Sequence, residues 1–274
     1  MQFQDYFPSF SEALATIYSK EESRILYRYF LEDFQERKLE DLASEFKKIT
    51  EELKKGKPYQ QILGYTEFYG NRFFVDENVL IPRPETEELL ELAISKIKNL
   101  KSKIQNLKLL DVGTGSGIIP ITLKKYFPDA EISAMDISEK ALEIAQKNST
   151  FHKTGINFIQ SDYLNRDLTE NYDVIISNPP YIGIDENIQI EDTVKGFEPN
   201  IALFSPTSDA LIFYKKIAKD CETNLNKNGL FFLEINQKLG NETLELFKNF
   251  SESELVKDLS GNDRFVMGRK YSKT

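Results

Sequence analysis

The chain of 274 residues holds one cysteine, Cys221, and one histidine, His152. A lone cysteine rules out an internal disulfide and a thiolate metal cluster, and in its amphipathic stretch Cys221 reads as packing. A lone histidine rules out histidine-based triads and multi-histidine centres, so no metal site is expected. His152, beside Lys153 and just past a helical run, reads as solvated. Ser116 is not a nucleophile elbow, because Thr114 and Ile118 stand where that motif needs glycines. There is no apolar run of about eighteen residues, and the opening residues, with Gln4, Asp5 and Pro8, lack the basic-then-apolar layout of a secretion signal. No membrane partner is expected, and the expected location is cytoplasmic.

Positive charge is also scarce, with a formal net charge of −9. A binder of bare nucleic acid neutralises several phosphates with clustered Lys and Arg. The densest basic stretches, Lys54-Lys55-Gly56-Lys57 and Lys96 to Lys103, fit solvated helix faces. Direct nucleic-acid binding is therefore not expected.

What the chain does contain is most concentrated at Asn178-Pro179-Pro180-Tyr181, which follows the apolar run Tyr172 to Ser177. Proline stiffens the residue before it and has no N–H, so the stretch offers two fixed acceptors, the Asn178 side-chain oxygen and the Pro179 carbonyl. Two acceptors match the two hydrogens of a planar NH2 group, and the Tyr181 ring offers a flat wall. The same run also suits an ordinary loop stop after a strand.

Upstream, the apolar strand Leu109 to Val112, which carries Asp111, runs into Gly113-Thr114-Gly115-Ser116-Gly117 and then a helix start at Ile118. Alternate glycines permit a tight turn and close approach of backbone to a ligand, with helix-terminal N–H groups facing it. The spacing G-x-G-x-G does not match either pyrophosphate-binding pattern. A second strand, Glu131 to Met135, ends on Asp136, nineteen residues after Gly117, and Ser138 caps a helix over Glu139 to Asn148. An acid at that strand end suits ribose hydroxyls; it also suits a helix N-terminus. A third strand, Ile156 to Gln160, delivers Asp162, suited to an adenine amino group, and Tyr163, suited equally to the adenine face or to plain core packing.

Taken together, Asp111 to Gly117, Asp136, Asp162 and Asn178 to Tyr181 resemble the class I S-adenosylmethionine (SAM) dependent methyltransferases of the amino type. The flanking Pro58 to Gly64, Glu67-Phe68-Tyr69-Gly70, Val79 to Glu87 and Lys257 to Arg264 narrow the resemblance to the release factor glutamine methyltransferases, the PrmC/HemK family. The resemblance covers roughly residues 58 to 269. It implies SAM as cofactor, with Asp111, Gly113, Thr114, Gly115, Ser116, Gly117, Asp136, Asp162, Tyr163 and Asn178 around it. It implies catalysis and substrate binding at Asn178, Pro179, Pro180 and Tyr181, with Arg83 at the substrate or pinning the linker in place. The implied substrate is the Gly-Gly-Gln loop of bacterial class 1 peptide chain release factors. An adenine-N6 or guanine-N2 nucleic-acid methyltransferase, which uses the same clamp on a base amine, is the alternative; the charge and the lack of a recognition insertion weigh against it. Two stretches depart from the family pattern. Phe204 to Ala210 replaces a glycine-rich segment, and Glu234-Ile235-Asn236-Gln237 lacks a glycine; both bear on local loops and neither is expected to touch the clamp.

The expected architecture is α/β: a doubly wound, mostly parallel seven-stranded sheet, with a small N-terminal helical bundle joined by a β-hairpin linker. Residues 1–64 read as the bundle, with helices at 10–17, 22–33 and 36–54. The resemblance implies that the bundle docks the release factor; as a bundle it suits dimerisation or a stabilising cap equally. Residues 65–84 read as the linker, with a turn at Gly70-Asn71 and stiffening at Pro82 and Pro84, and 85–274 as the catalytic domain. Strands are expected near 108–112, 131–135, 156–160, 172–177, 229–234, 254–259 and 264–269, with helices between the first six; the resemblance makes the seventh antiparallel.

Overall fold

A computed structural model describes residues 5–101, 106–182 and 196–270. Four helices come first: α1 (Phe7–Leu14), α2 (Lys20–Arg37), α3 (Leu42–Lys54) and α4 (Tyr59–Leu63). Pro8 takes the first turn of α1, so this helix lies three residues ahead of its expected place. Ser19 and Glu22 form a reciprocal capping box at the start of α2. The expected third helix from Glu36 is corrected: Glu36 and Arg37 close α2, Lys38 turns left-handed at φ 55°, and Asp41 caps α3 by accepting from Ser44 N–H. Phe10, Leu26, Phe30, Phe34, Phe46 and Leu53 give these helices a core of their own.

Next come β1 (Tyr65–Phe68) and β2 (Asn71–Phe74), an antiparallel pair. The central turn residues are Tyr69 and Gly70, at φ 51° and 66°, one position earlier than expected. Two positive φ values match the twist of a two-residue hairpin. Tyr69 tolerates its strained φ because its N–H donates to Glu87 at 2.6 Å and its hydroxyl to Glu91 at 2.5 Å. Phe68 and Phe73 are buried in the core of the main sheet, so the hairpin is packed on the sheet domain. Helix α5 (Pro84–Lys101) then begins on proline as the sequence predicts.

The main sheet comprises β3 (Lys108–Val112), β4 (Glu131–Asp136), β5 (Asn157–Gln160), β6 (Tyr172–Ser177), β7 (Leu225–Glu234), β8 (Ser251–Lys257) and β9 (Asp263–Arg269), in spatial order β5-β4-β3-β6-β7-β9-β8. All neighbours are parallel except β9, which runs antiparallel to both β7 and β8. Every residue of β6 is buried, with Val174 and Ile176 in the core on one face and Ile175 in the core on the other. That is the period-two pattern of a strand covered on both sides. The covering helices are α5, α6 (Ile118–Tyr126) and α7 (Glu139–Phe151), then, after the one-turn α8 (Asn200–Leu203), α9 (Ile212–Asn224) and α10 (Gly240–Leu246). One expectation fails: β5 and β6 are joined by a single 3-10 turn, Tyr163–Asn165, not by a helix. Asp162 caps that turn, and the polar residues after it offer no apolar stripe to bury.

Two further readings are settled by packing. Cys221 is fully buried in the sheet core, as expected. His152 is half-buried rather than freely solvated: its Nε2 lies 2.8 Å from the Arg72 carbonyl, and its ring packs on Phe73 at 4.5 Å. Burial and the nearby Lys125 ammonium hold its pKa below the usual value.

Candidate functional site

The chain leaves β3 toward α6 at the point where the sheet's connection order reverses, with β4 on one side of β3 and β6 on the other. The carboxyl ends of strands at such a switch point form a crevice. Here Gly113, Gly115 and Gly117 all adopt left-handed φ, at 75°, 55° and 81°. Gly113 and Thr114 N–H both donate to the Met135 carbonyl, which pulls the loop onto the end of β4. At Gly117 a Cβ would come within 3.1 Å of both Ala145 and Ile121, so this glycine permits close packing of α7 on α6. A Cβ on Gly115 would meet nothing within 4 Å; that face of the loop is open toward a cavity.

The cavity measures about 570 Å³ and is walled mainly by apolar side chains. It brings together Gly113, Gly115, Asp136, Asp162, Tyr163, Asn178, Pro179 and Pro180 from the sequence reading. Asp111, Thr114, Ser116 and Gly117 lie behind its wall, and Tyr181 and Arg83 lie outside it. Asp111 is buried, with no well-formed hydrogen bond to either carboxyl oxygen among the described residues, the Thr114 hydroxyl being a loose neighbour. Burial, with the Asp136 charge adding and Thr114 opposing, pushes its pKa up to about 7.

Asp136 accepts from Gly115 N–H and from Ser138 N–H, each at 2.9 Å and each on a different oxygen. Each oxygen keeps a further lone pair. Burial raises the Asp136 pKa against the pull of these backbone donors. Asp162 accepts from Leu164 N–H and from the Asn165 amide, so part of its capacity serves the local turn. Tyr163 is buried in the sheet core and also borders the cavity.

Asn178 follows β6 directly. Its side-chain NH2 donates to Thr86 Oγ1 at 3.2 Å, and the Thr86 hydroxyl donates to Glu234 Oε2 at 2.8 Å. The Asn178 side-chain oxygen has no partner among the described residues. Tyr181 packs against the sheet core, and burial raises its phenol to about 12. Asn236 donates to the Tyr181 carbonyl at 3.2 Å. The Asn236 departure from the family pattern thus does reach the clamp, contrary to expectation, through backbone. The other departure also reaches the site, since Phe204 and Pro206 line the cavity and Ser205 N–H donates to the Ile182 carbonyl.

Arg83 is paired with buried Glu198 at 2.5 Å, and the second Glu198 oxygen accepts Ile81 N–H at 3.0 Å. In this geometry Arg83 pins the linker to the segment before α8. Thr86, Glu198 and Glu234 were missed from sequence. Thr86 stands in the recognised Pro84-Glu85-Thr86-Glu87 run, and Glu234 is an acid ending an apolar strand, a signal that could have marked it. The basic stretches are not free patches: Lys54 and Lys55 pair with Glu51 and Glu52, and Lys96 with Glu254. The end of the second stretch, past residue 100, lies outside the described side chains.

The sheet order, the glycine loop at its switch point and the antiparallel last strand define a Rossmann-like methyltransferase fold. The hMettl16 catalytic domain, solved in complex with the MAT2A 3'UTR hairpin 6, shares that fold, with a TM-score of 0.56 over 74% of this chain and 76% of that one at 15% identity. Residues 94–194 match the family model described as Methyltransferase small domain. The release factor glutamine methyltransferase of Flavobacterium psychrophilum is 43% identical over 97% of this chain and 98% of its own length. That of Bacteroides thetaiotaomicron is 39% identical over 82% and 81%. The chain belongs to the release factor glutamine methyltransferase family.

Proposed function

We propose that this protein transfers a methyl group from SAM to the side-chain nitrogen of the glutamine in the Gly-Gly-Gln loop of bacterial class 1 peptide chain release factors, giving N5-methylglutamine. The observation that carries the reading is Asn178, a residue of the cavity wall: its NH2 edge is tied back to Thr86 while its oxygen has no partner among the described residues. The cavity residues fit the cofactor. Gly115 presents bare backbone, the Asp136 oxygens keep lone pairs for ribose hydroxyls, and apolar walls suit adenine. Bound SAM supplies an electrophilic methyl carbon on a sulfonium.

A carboxamide nitrogen is a poor nucleophile, because its lone pair is delocalised into the carbonyl. Asn178 Oδ1 and the Pro179 carbonyl accept its two hydrogens and so orient the nitrogen. As the nitrogen bonds the methyl carbon, the carbon–sulfur bond would break with its electron pair left on a neutral thioether; the nitrogen becomes positive and those two hydrogen bonds strengthen, which lowers the barrier selectively. The surplus proton then leaves to water. Tyr181 flanks the planar amide, Arg83 holds the linker beside it, and the helices over residues 1–64 dock the release factor in the cytoplasm.

The test is labelled-methyl transfer from SAM, offered a bacterial release factor, the same factor with its loop glutamine replaced, and unmethylated duplex DNA. Label on the intact factor alone is the expected outcome. Label on DNA instead overturns the assignment.

A further inference from the structure

Glu234 ends β7 with 1% of its surface exposed. Its carboxylate receives the Thr86 hydroxyl from α5. The charged or titratable groups around it are Glu85 on α5, Tyr181 beyond β6 and Arg264 on β9, while the Tyr214 hydroxyl of α9 donates to its backbone carbonyl. Arg264 is itself engaged, its Nε 3.1 Å from Asp258. A buried carboxylate without a cation in contact is costly. Methyl transfer as described above makes no direct use of it.

We propose that Thr86 and Glu234 are positioning residues that lock the Asn178 amide with its oxygen toward the acceptor nitrogen. This rests on the function proposed above. A threonine hydroxyl has one proton. With that proton given to Glu234, Thr86 Oγ1 can only accept, so Asn178 must turn its NH2 edge to Thr86 and its oxygen away. An ionised carboxylate is acceptor-only and fixes the direction of the whole chain, Asn178 to Thr86 to Glu234. A flipped Asn178 would set a donor NH2 against the substrate NH2 and remove one acceptor. Burial pushes the Glu234 acid up to about 7, with the Glu85 charge adding and with Thr86, Arg264 and the nearby Asn178 amide opposing. Below that pH a protonated Glu234 can donate to Thr86, and the direction is lost.

The experiment measures kcat, the KM for release factor and SAM affinity for Thr86→Val, Thr86→Ser and Glu234→Gln, with melting curves to confirm folding. Thr86→Val and Glu234→Gln are expected to lower kcat by about 10-fold or more, in line with the loss of an aligned transition-state acceptor, with SAM affinity within about threefold of wild type. Thr86→Ser is expected to restore most of the rate. The acid limb of the wild-type kcat profile near pH 7 is expected to be absent in Glu234→Gln. A folded Thr86→Val with near-normal kcat overturns the proposal, and so does a serine variant as slow as the valine one, which would assign Thr86 to packing. An independent readout is hydrogen exchange of the 15N-labelled Asn178 side-chain NH2, expected to be slow in wild type and fast in Thr86→Val. Slow exchange in both overturns the lock even if wild type methylates no release factor, an outcome that would by itself remove only the function proposed above.

Discussion

Asn148 and Phe74 exchange two hydrogen bonds in opposite directions: Phe74 N–H donates to the Asn148 side-chain oxygen at 2.7 Å, and the Asn148 NH2 donates to the Phe74 carbonyl at 3.0 Å. The same NH2 group also donates to the Ser116 carbonyl at 2.9 Å. One fully buried amide therefore mimics a strand neighbour for the hairpin while holding the glycine loop. Replacing Asn148 by Ala leaves three backbone groups without partners. The expected loss is about 2–3 kcal/mol of stability, read by urea unfolding. A change below about 0.5 kcal/mol would show that water or a neighbour substitutes freely.

Asn178→Ala removes one of the two acceptors proposed for the glutamine NH2. The expected effect is a fall in kcat of about 10²–10³, with little change in SAM affinity, because the bond gains strength only in the transition state. Near-normal turnover in this variant would sink the clamp.

Asp136→Ala is expected to act on binding instead. Ribose contacts persist in ground and transition states alike, so the loss falls on SAM affinity, by roughly 10–100-fold for one charge-assisted hydrogen bond. Calorimetric titration with SAM checks it, and unchanged affinity rules out the ribose role.

Asp111 and Glu234 give stability a pH dependence of definite sign. Both acids are pushed up by burial to about 7 in the folded chain. Unfolded, they titrate near 4. Between about pH 4 and 7 the folded chain therefore holds protons that the unfolded chain has released, and stability falls as pH rises through that window. Above it their destabilising contribution is constant. Asp111→Asn removes one of the two groups, so the drop in melting temperature from pH 5 to pH 8 is expected to be smaller than in wild type. An equal or larger drop in the variant contradicts the assignment.

Much of the site was legible in the sequence because its signals are local. The turn from β3 into α6 needs left-handed φ at 113, 115 and 117, and only glycine supplies that without strain. Asp136 and Ser138 sit two residues apart and cap their helix from within one segment. Asn178-Pro179-Pro180 is stiff by covalent structure. Most strand positions followed from apolar runs, although β7 and β8 begin about four and three residues earlier than expected; the absent helix between β5 and β6 and the shifted hairpin turn did not follow. Those depended on Asp162 capping a short turn and on Glu87 reaching the Tyr69 N–H from another element.

By itself, then, the sequence determined the alternation of strands and helices, the glycine loop and the pair of stiff acceptors, since each is set by torsional preferences and spacing within a few residues. Only the tertiary structure decided what stands behind them. Thr86 meets Glu234 across 148 residues, Arg83 meets Glu198 across 115, and His152 meets the Arg72 carbonyl across 80. Such pairs exist because the sheet order lays β7 beside β6 and packs α5 against β7, and no local propensity encodes which distant hydroxyl a buried carboxylate will find.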